Sequence, residues 1–286
     1  MVTVVLLSDI HGNLPALEAV AEDIRSHSPD AVFVLGDMIN GCPWSNRVLD
    51  RLLEFGWPML LGNHDDAVLQ LDTPRMEPRY ADRQRYATLW WTRAQLSPRH
   101  SALLASLPTE IQPSFDNVAA LRLVHGIPGN FFVGLRPDSP EGWAARQLEP
   151  VSESTLAGGH THVPMIRQVR RWLVVNSGSV AACYDGDPRA SYALLHGDAL
   201  NWRAEIRRVA YDFAAVDVGY HETGLLADGG VMAEMFRRSV MTGLPWVSDF
   251  TWWIREQPAE VSLDMRGALR TYDAMHGPGR WAFPYA

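Results

Sequence analysis

Short clusters of histidine, aspartate, asparagine and glycine recur along this chain, and each one closes an apolar, β-branched run. They read Asp9-Ile10-His11, Gly36-Asp37, Gly62-Asn63-His64-Asp65, His125-Gly126 and Gly159-His160-Thr161-His162. The runs before them span 2–7, 31–35, 59–61, 118–124 and, more weakly, 155–157. An apolar run bounded by turn residues reads as a strand, so the clusters fall at strand ends. A strand that ends in a glycine-containing turn can aim a short polar side chain into a crevice shared with its neighbours, where open sheets place their ligands.

The donor types narrow the chemistry. Oxygen donors from Asp9, Asp37 and Asn63, mixed with imidazoles from His11, His125, His160 and His162, suit borderline divalent ions such as manganese, iron, cobalt, nickel or zinc. No thiolate belongs to the set. The other histidines, His27, His100, His196, His221 and His276, stand in no such motif and read as surface or packing residues.

Taken in order, the motifs D-x-H, G-D, G-N-H-D, H-G and G-H-x-H resemble the calcineurin-like metallophosphoesterase superfamily. The segments 8–19, 176–180 and 185–192 are similar to its small bacterial and archaeal phosphodiesterase subgroup. The resemblance runs over roughly residues 1–210 and implies an α/β fold, a four-layer α/β/β/α sandwich of two facing mixed sheets. It also implies two divalent transition-metal ions, the first held by Asp9, His11 and His162, the second by Asn63, His125 and His160, with Asp37 bridging. Such a pair polarises a water and clamps the attacking and leaving oxygens of an in-line displacement at phosphorus. His64, beside Asn63, is then the proton donor or charge stabiliser for the leaving oxygen.

One position departs from the protein phosphatase branch, in which the G-D motif continues to a second aspartate that orients the catalytic histidine. Here that position is Asn40. A neutral amide does not raise an imidazole's proton affinity as an ionised carboxylate does, and Asp65 and Asp66 are the candidate replacements. The departure favours a phosphodiesterase acting on a small nucleotide or similar diester. The alternative is a phosphomonoesterase, either a serine/threonine protein phosphatase or a dinucleoside polyphosphate hydrolase. A non-catalytic scaffold on the same fold is disfavoured, because every ligand position is retained.

Composition is consistent with a small phosphorylated substrate. A formal net charge of −8 argues against broad capture of nucleic acid, which depends on Lys and Arg displacing counterions. Bound cations can still make the pocket itself attract phosphate. The two cysteines, Cys42 and Cys183, form no disulfide framework or zinc-binding spacing, so a reducing cytoplasm is expected. No stretch has the pattern of a signal peptide or the length of a membrane span.

Along the chain, Asn13 is a helix N-cap, and Leu14, Leu17, Val20, Ala21 and Ile24 recur at helical spacing, giving a β-α-β opening. A helix is expected near 47–55, and Pro58 opens a third strand. Residues 72–107 should form two or three helices bearing Arg75, Arg79, Arg83, Arg85, Arg93 and Arg99. These are either a phosphate-binding lid or a solvated face balanced by Glu77 and Asp82, and exposed charge is the commoner case. Strands follow at 109–112, 118–124, 154–158, 165–168, 172–176, 190–196 and 201–209, with a helix near 140–147 and a structural turn at 176–180. The catalytic domain, 1–210, gives way to a helical, aromatic-rich extension at 211–286, with helices at 212–225 and 231–242 and stops at Gly243 and Pro245. Its Trp246, Trp252, Trp253 and Trp281 suggest a cap or homo-oligomer arm that stacks on a nucleobase, or packing against the body, which is the commoner use of such rings.

Overall fold

The computed structural model describes residues 1–258, 261 and 263–276, so Trp281 lies outside the described residues. The strands are β1 (Val2–Leu7), β2 (Ala31–Val34), β3 (Glu110–Ile111), β4 (Leu121–Val124), β5 (Thr155–Gly158), β6 (Met165–Val169), β7 (Trp172–Asn176), β8 (Ala190–Gly197) and β9 (Trp202–Val209). The helices are α1 (Leu14–His27), α2 (Ser45–Phe55), α3 (Asn63–Gln70), α4 (Ala87–Gln95), α5 (Pro98–Ala105), α6 (Glu141–Leu148), α7 (Phe213–Glu222), α8 (Leu225–Asp228), α9 (Gly230–Thr242), α10 (Trp246–Arg255) and α11 (Met265–His276). A 3₁₀ turn at Pro78–Ala81 precedes α4.

Two mixed sheets face each other, in the orders β2-β1-β8-β9 and β3-β4-β5-β7-β6. Period-two alternation explains the layering. Val4 and Leu6 of β1, with Phe33 and Leu35, meet Leu121, Leu123, Ala157 and Val175 between the sheets. Val5 and Leu7 point the other way, onto Leu17, Val20 and Ile24 of α1 and Val48, Leu49 and Leu52 of α2. The second sheet covers its outer face with Ala144, Ala145 and Leu148 of α6 against Leu156, Val174 and Met165. Strands buried on both faces read as continuous apolar runs, as these do. Each fully buried aliphatic side chain contributes about 1.5–3 kcal/mol.

Helix α1 begins where the sequence places it. Asn13 Oδ1 accepts from the Ala16 amide at 3.2 Å, and the helix ends at Ser28 in a left-handed conformation, φ 44°. The third strand is the clearest departure: segment 59–61 makes one bridge, Val34 to Met59, instead of a ladder, and the Leu61 amide turns away to Pro108 O. Strand β4 starts at Leu121, since the Ala119 amide is taken by Asp198 outside the ladder. The helix expected over 212–225 breaks at Gly224, φ 79°, into α7 and α8. Segment 72–107 holds the 3₁₀ turn, α4 and α5.

Helices α7 to α9 pack onto the body through one apolar cluster in which Val216, Tyr220, Leu225, Ala233, Phe236 and Val240 meet Cys42, Trp91 and Ala181. Trp246 is buried with Phe250 and Tyr272, whereas Trp252 is 51% exposed.

Candidate metal centre

Strands β1 and β2 are parallel, as are β4 and β5, and the clusters of interest follow the C-terminal ends of these four. Backbone bonds lock the resulting loops side by side. Asp9 N donates to Gly36 O at 3.0 Å, His11 N to Asp37 O at 2.9 Å, and Gly159 N to His125 O at 2.9 Å. The chain is forced into unusual conformations to do this: Asp9, His11, Asp37, His160 and His162 all have positive φ, between 49° and 67°. Left-handed non-glycine residues cost about 1–3 kcal/mol each and persist only where the surroundings over-determine them.

Neighbouring glycines permit the approach. A Cβ on Gly62 would lie 2.2 Å from Asp37 N, and one on Gly159 would lie 1.9 Å from Ser8 Oγ.

Three overlapping groups of potential ligands share this edge among the described residues, Asp9 with His11 and His162, Asp37 with His125 and His160, and, between them, His11 with Asp37 and His64. Asp37 Oδ2 lies 3.3 Å from His125 Nε2 and 3.8 Å from His11 Nε2, so it stands between the groups. Asn63 Oδ1 lies 3.0 Å from His125 Nε2 and 2.8 Å from His160 Nδ1. Asp9, His11, Asp37, His125 and His162 are buried. Asn63, His64 and His160 are partly exposed and line a cavity of about 270 Å³ over the cluster.

The tautomers follow from backbone carbonyls. His11 Nδ1 is 2.8 Å from Asn40 O, His125 Nδ1 is 2.7 Å from Leu35 O, and His162 Nδ1 is 2.7 Å from Ala182 O. A carbonyl only accepts, so each Nδ1 carries a proton and each Nε2 is the nitrogen that faces inward, available to a cation. The carboxylates are handled alike: His160 N donates to Asp9 Oδ2 at 2.9 Å and His64 N to Asp37 Oδ1 at 2.7 Å, leaving one oxygen of each facing the cluster. Asp9 Oδ1 is buried without a hydrogen-bond partner, and His11 Nε2 faces His162 Nε2 at 3.1 Å. An orphaned carboxylate oxygen beside converging imidazole lone pairs fits a cation.

Electrostatics agree. Burial would raise Asp9, but the neighbouring His162 brings it down to about 2. Asp37 is likewise held well below the usual carboxylate range, since His125 and His64 outweigh its burial. Burial and the proximity of His64 push His11 down to about 3, and burial with His125 pushes His160 to about 4. His125 is the exception: the Asp37 charge overcomes burial and raises it to about 9, so that without a cation its Nε2 holds a proton toward Asp37, which a bound ion would replace.

His64 reaches the same cavity from the first turn of α3, and burial lowers its pKa. Its Nδ1 is 2.7 Å from Asn40 Nδ2, while Thr92 Oγ1 donates to Asn40 Oδ1 at 3.4 Å. With the amide nitrogen donating to Nδ1, the ring proton resides on Nε2. Neither proposed replacement reaches it. Asp65 accepts from the amides of Asp37, Met38, Ile39 and Gly62, and Asp66 bonds Gln70 and Arg75. Burial and the nearby Asp37 charge push Asp65 up to about 7. Tying two ligand-bearing loops together is a function of Asp65 that its position in the motif does not announce.

Other supports were also illegible in the motifs. Ser179 Oγ donates to Asp9 O at 2.8 Å, Asn176 Nδ2 bonds Thr161 Oγ1 at 3.0 Å, and Tyr184 stacks on His162 with ring centroids 4.5 Å apart. Segment 176–180 is therefore structural in a specific sense: it buttresses the ligand loops. His100, outside the cluster, is buried between Asn46 and Asp50.

A family model, the calcineurin-like phosphoesterase superfamily domain, matches residues 2–199. This chain belongs to that superfamily. It is a metal-dependent phosphoester hydrolase of the kind found in the small bacterial and archaeal subgroup. Phosphodiesterase YfcE of Escherichia coli is 28% identical over 213 residues, 70% of this phosphoesterase and 91% of the relative. A crystal structure of a metallophosphoesterase from Sphaerobacter thermophilus is 27% identical, with a TM-score of 0.67, and covers 85% of this chain and 100% of its own. A hypothetical protein from Pyrococcus horikoshii shares the fold at 23% identity and a TM-score of 0.68, over 80% of this chain and 99% of its own. No helix among the described residues is long and apolar enough to cross a membrane.

Proposed function

We propose that this phosphoesterase is a dinuclear phosphodiesterase that hydrolyses a small nucleotide or similar diester. Asp9, His11 and His162 would hold one divalent ion, Asn63, His125 and His160 the other, and Asp37 both. The observation that carries this is the placement of Asp37 between two groups of donors that converge on one another. When bound, such ions supply Lewis acidity and lower the pKa of water. The catalytic unit would be residues 1–210, with 211–286 as an extension packed on it. A reducing cytoplasm suits the two buried free thiols.

The chain's own residues then act on the diester. Water's oxygen forms the new bond to phosphorus and loses its proton to solvent. The leaving oxygen keeps the bonding pair, is stabilised by the Nε2–H of neutral His64, and takes its proton from water. Asn40 orients that ring without the charge a carboxylate would bring, which favours a diester over the more highly charged monoester. The relative named a phosphodiesterase supports the same choice. Manganese-loaded protein should cleave bis(4-nitrophenyl) phosphate faster than 4-nitrophenyl phosphate. The opposite preference would overturn this reading in favour of a phosphomonoesterase.

A further inference from the structure

A second cavity, of about 360 Å³, adjoins the metal centre and shares Asn63, His64, Phe236, Val247 and Ser248 with it. One of its walls is a face of α10: Val247, Ser248, Thr251, Trp252 and Arg255 recur at helical spacing. The facing wall comes from the segment around the 3₁₀ turn, and Phe132 closes the side. Three arginines line the cavity, Arg79, Arg85 and Arg255, and among the described residues no carboxylate does.

Two of the three guanidinium groups, those of Arg255 and Arg85, are incompletely engaged. Arg255 makes no hydrogen bond or ion pair to a described residue. Arg85 Nε is buried without a hydrogen-bond partner, its nearest carboxylate, that of Asp82, being 3.9 Å away. Arg79 is paired with Glu77 and lies over the Tyr80 and Phe132 rings at 4.9 and 5.7 Å. The large apolar side chains left exposed include two aromatic rings, Phe132 at 40% and Trp252 at 51%, and both line this cavity. Exposed rings beside unsaturated guanidinium groups match a ligand that has a planar π face and a separate anionic group.

We infer that this cavity binds the leaving half of the substrate, a nucleotide whose base lies against Phe132 and Trp252 and whose own phosphate is held by Arg79, Arg85 and Arg255. The assignment of this half rests on the phosphodiesterase reading, because His64, which stabilises the leaving oxygen, stands at the seam of the two cavities. The scissile phosphate lies on one side of that seam and the recognised nucleotide on the other. Specificity thus comes from a helix outside the stretch matched by the family model.

Binding calorimetry on the full-length protein as purified tests this, with adenosine 5′-monophosphate as ligand, with and without excess inorganic phosphate to fill the metal centre. The nucleotide should bind in both conditions and about tenfold or more tighter than adenosine, with Arg255→Gln and Trp252→Ala each weakening it about tenfold. Phe132→Ala, on a different segment, should do the same if an α10 variant proves unstable. Equal affinity for adenosine, complete displacement by phosphate, or unchanged binding in the variants would overturn the inference. Wild-type hydrolysis of bis(4-nitrophenyl) phosphate separates the two readings: if it persists while nucleotide binding fails, only this inference falls. If it is absent while binding succeeds, the phosphodiesterase reading falls and takes the leaving-half assignment with it, while the nucleotide site itself stands.

Discussion

The metal centre and the cavity beside it share a seam but are built by opposite means. At the centre the donors sit on short loops, Asp9, His11, Asp37, His160 and His162 in left-handed conformations, and Asp9, His11, Asp37, His125 and His162 are buried and each held by a backbone group on its far side. In the cavity, one face of a regular helix and a few exposed arginines and rings form the walls. Metal coordination tolerates errors of a few tenths of an ångström, and only interlocked loops supply that precision. A binding wall needs shape and charge, which a helix face provides and can exchange without disturbing the chemistry.

The contrast breaks most easily at Asp37. Asp37→Ala should lower kcat by about a thousandfold or more and empty both metal positions, because it removes the shared ligand. Metal analysis beside kinetics checks this, and a variant retaining two ions would remove Asp37 from its bridging place. Asp65→Asn comes next. An amide cannot accept from all four of the amides now bonded to the carboxylate, so a loss of about 3 kcal/mol in stability is expected, together with weaker metal retention. Thermal melts against metal content would reveal an intact centre if the carboxylate were dispensable.

His64→Ala should be milder. It is expected to keep its metal while kcat falls about a hundredfold, more steeply for poorer leaving groups, and a flat dependence on leaving-group pKa would contradict the assigned contact.

The smallest effect lies on the cavity side, at Asp249 of α10. Burial pushes its pKa up to about 6, with only Arg136 opposing, and its Oδ2 has no hydrogen-bond partner. A raised carboxyl pKa means that the folded state holds the proton more tightly, so the stability penalty is absent below the ordinary value of 3.8 and complete above about 6. Asp249→Asn should therefore gain about 1 kcal/mol near pH 8 and nothing near pH 4, read as a shift in Tm. A gain equal at both pH values would point to packing instead of charge.

Much of this was legible before folding, and the exceptions are instructive. Runs 2–7, 31–35 and 155–157 became strands because their apolar residues are buried on both faces. Segment 59–61 looked equivalent but made a single bridge to β2, since periodicity does not say how far a segment runs beside its neighbour before its amides turn elsewhere, as Leu61 N does to Pro108 O. Asn40 stood out as a departure, yet its contact with His64 depends on how two loops approach. Of the arginines in 72–107, Arg79 and Arg85 face the cavity, while Arg75 pairs with Asp66 and Arg83 lies over Trp90. That difference is set by where α10 lands.

The amino-acid order alone determined the donor chemistry and its location at strand ends, because residue type and short-range periodicity are local properties. Only the tertiary structure decided which nitrogen of each histidine faces inward, which carboxylate stands between the groups and which arginines share a wall with aromatic rings. Those outcomes depend on carbonyls, amides and helix faces contributed by distant segments, and no local pattern encodes a distance between them.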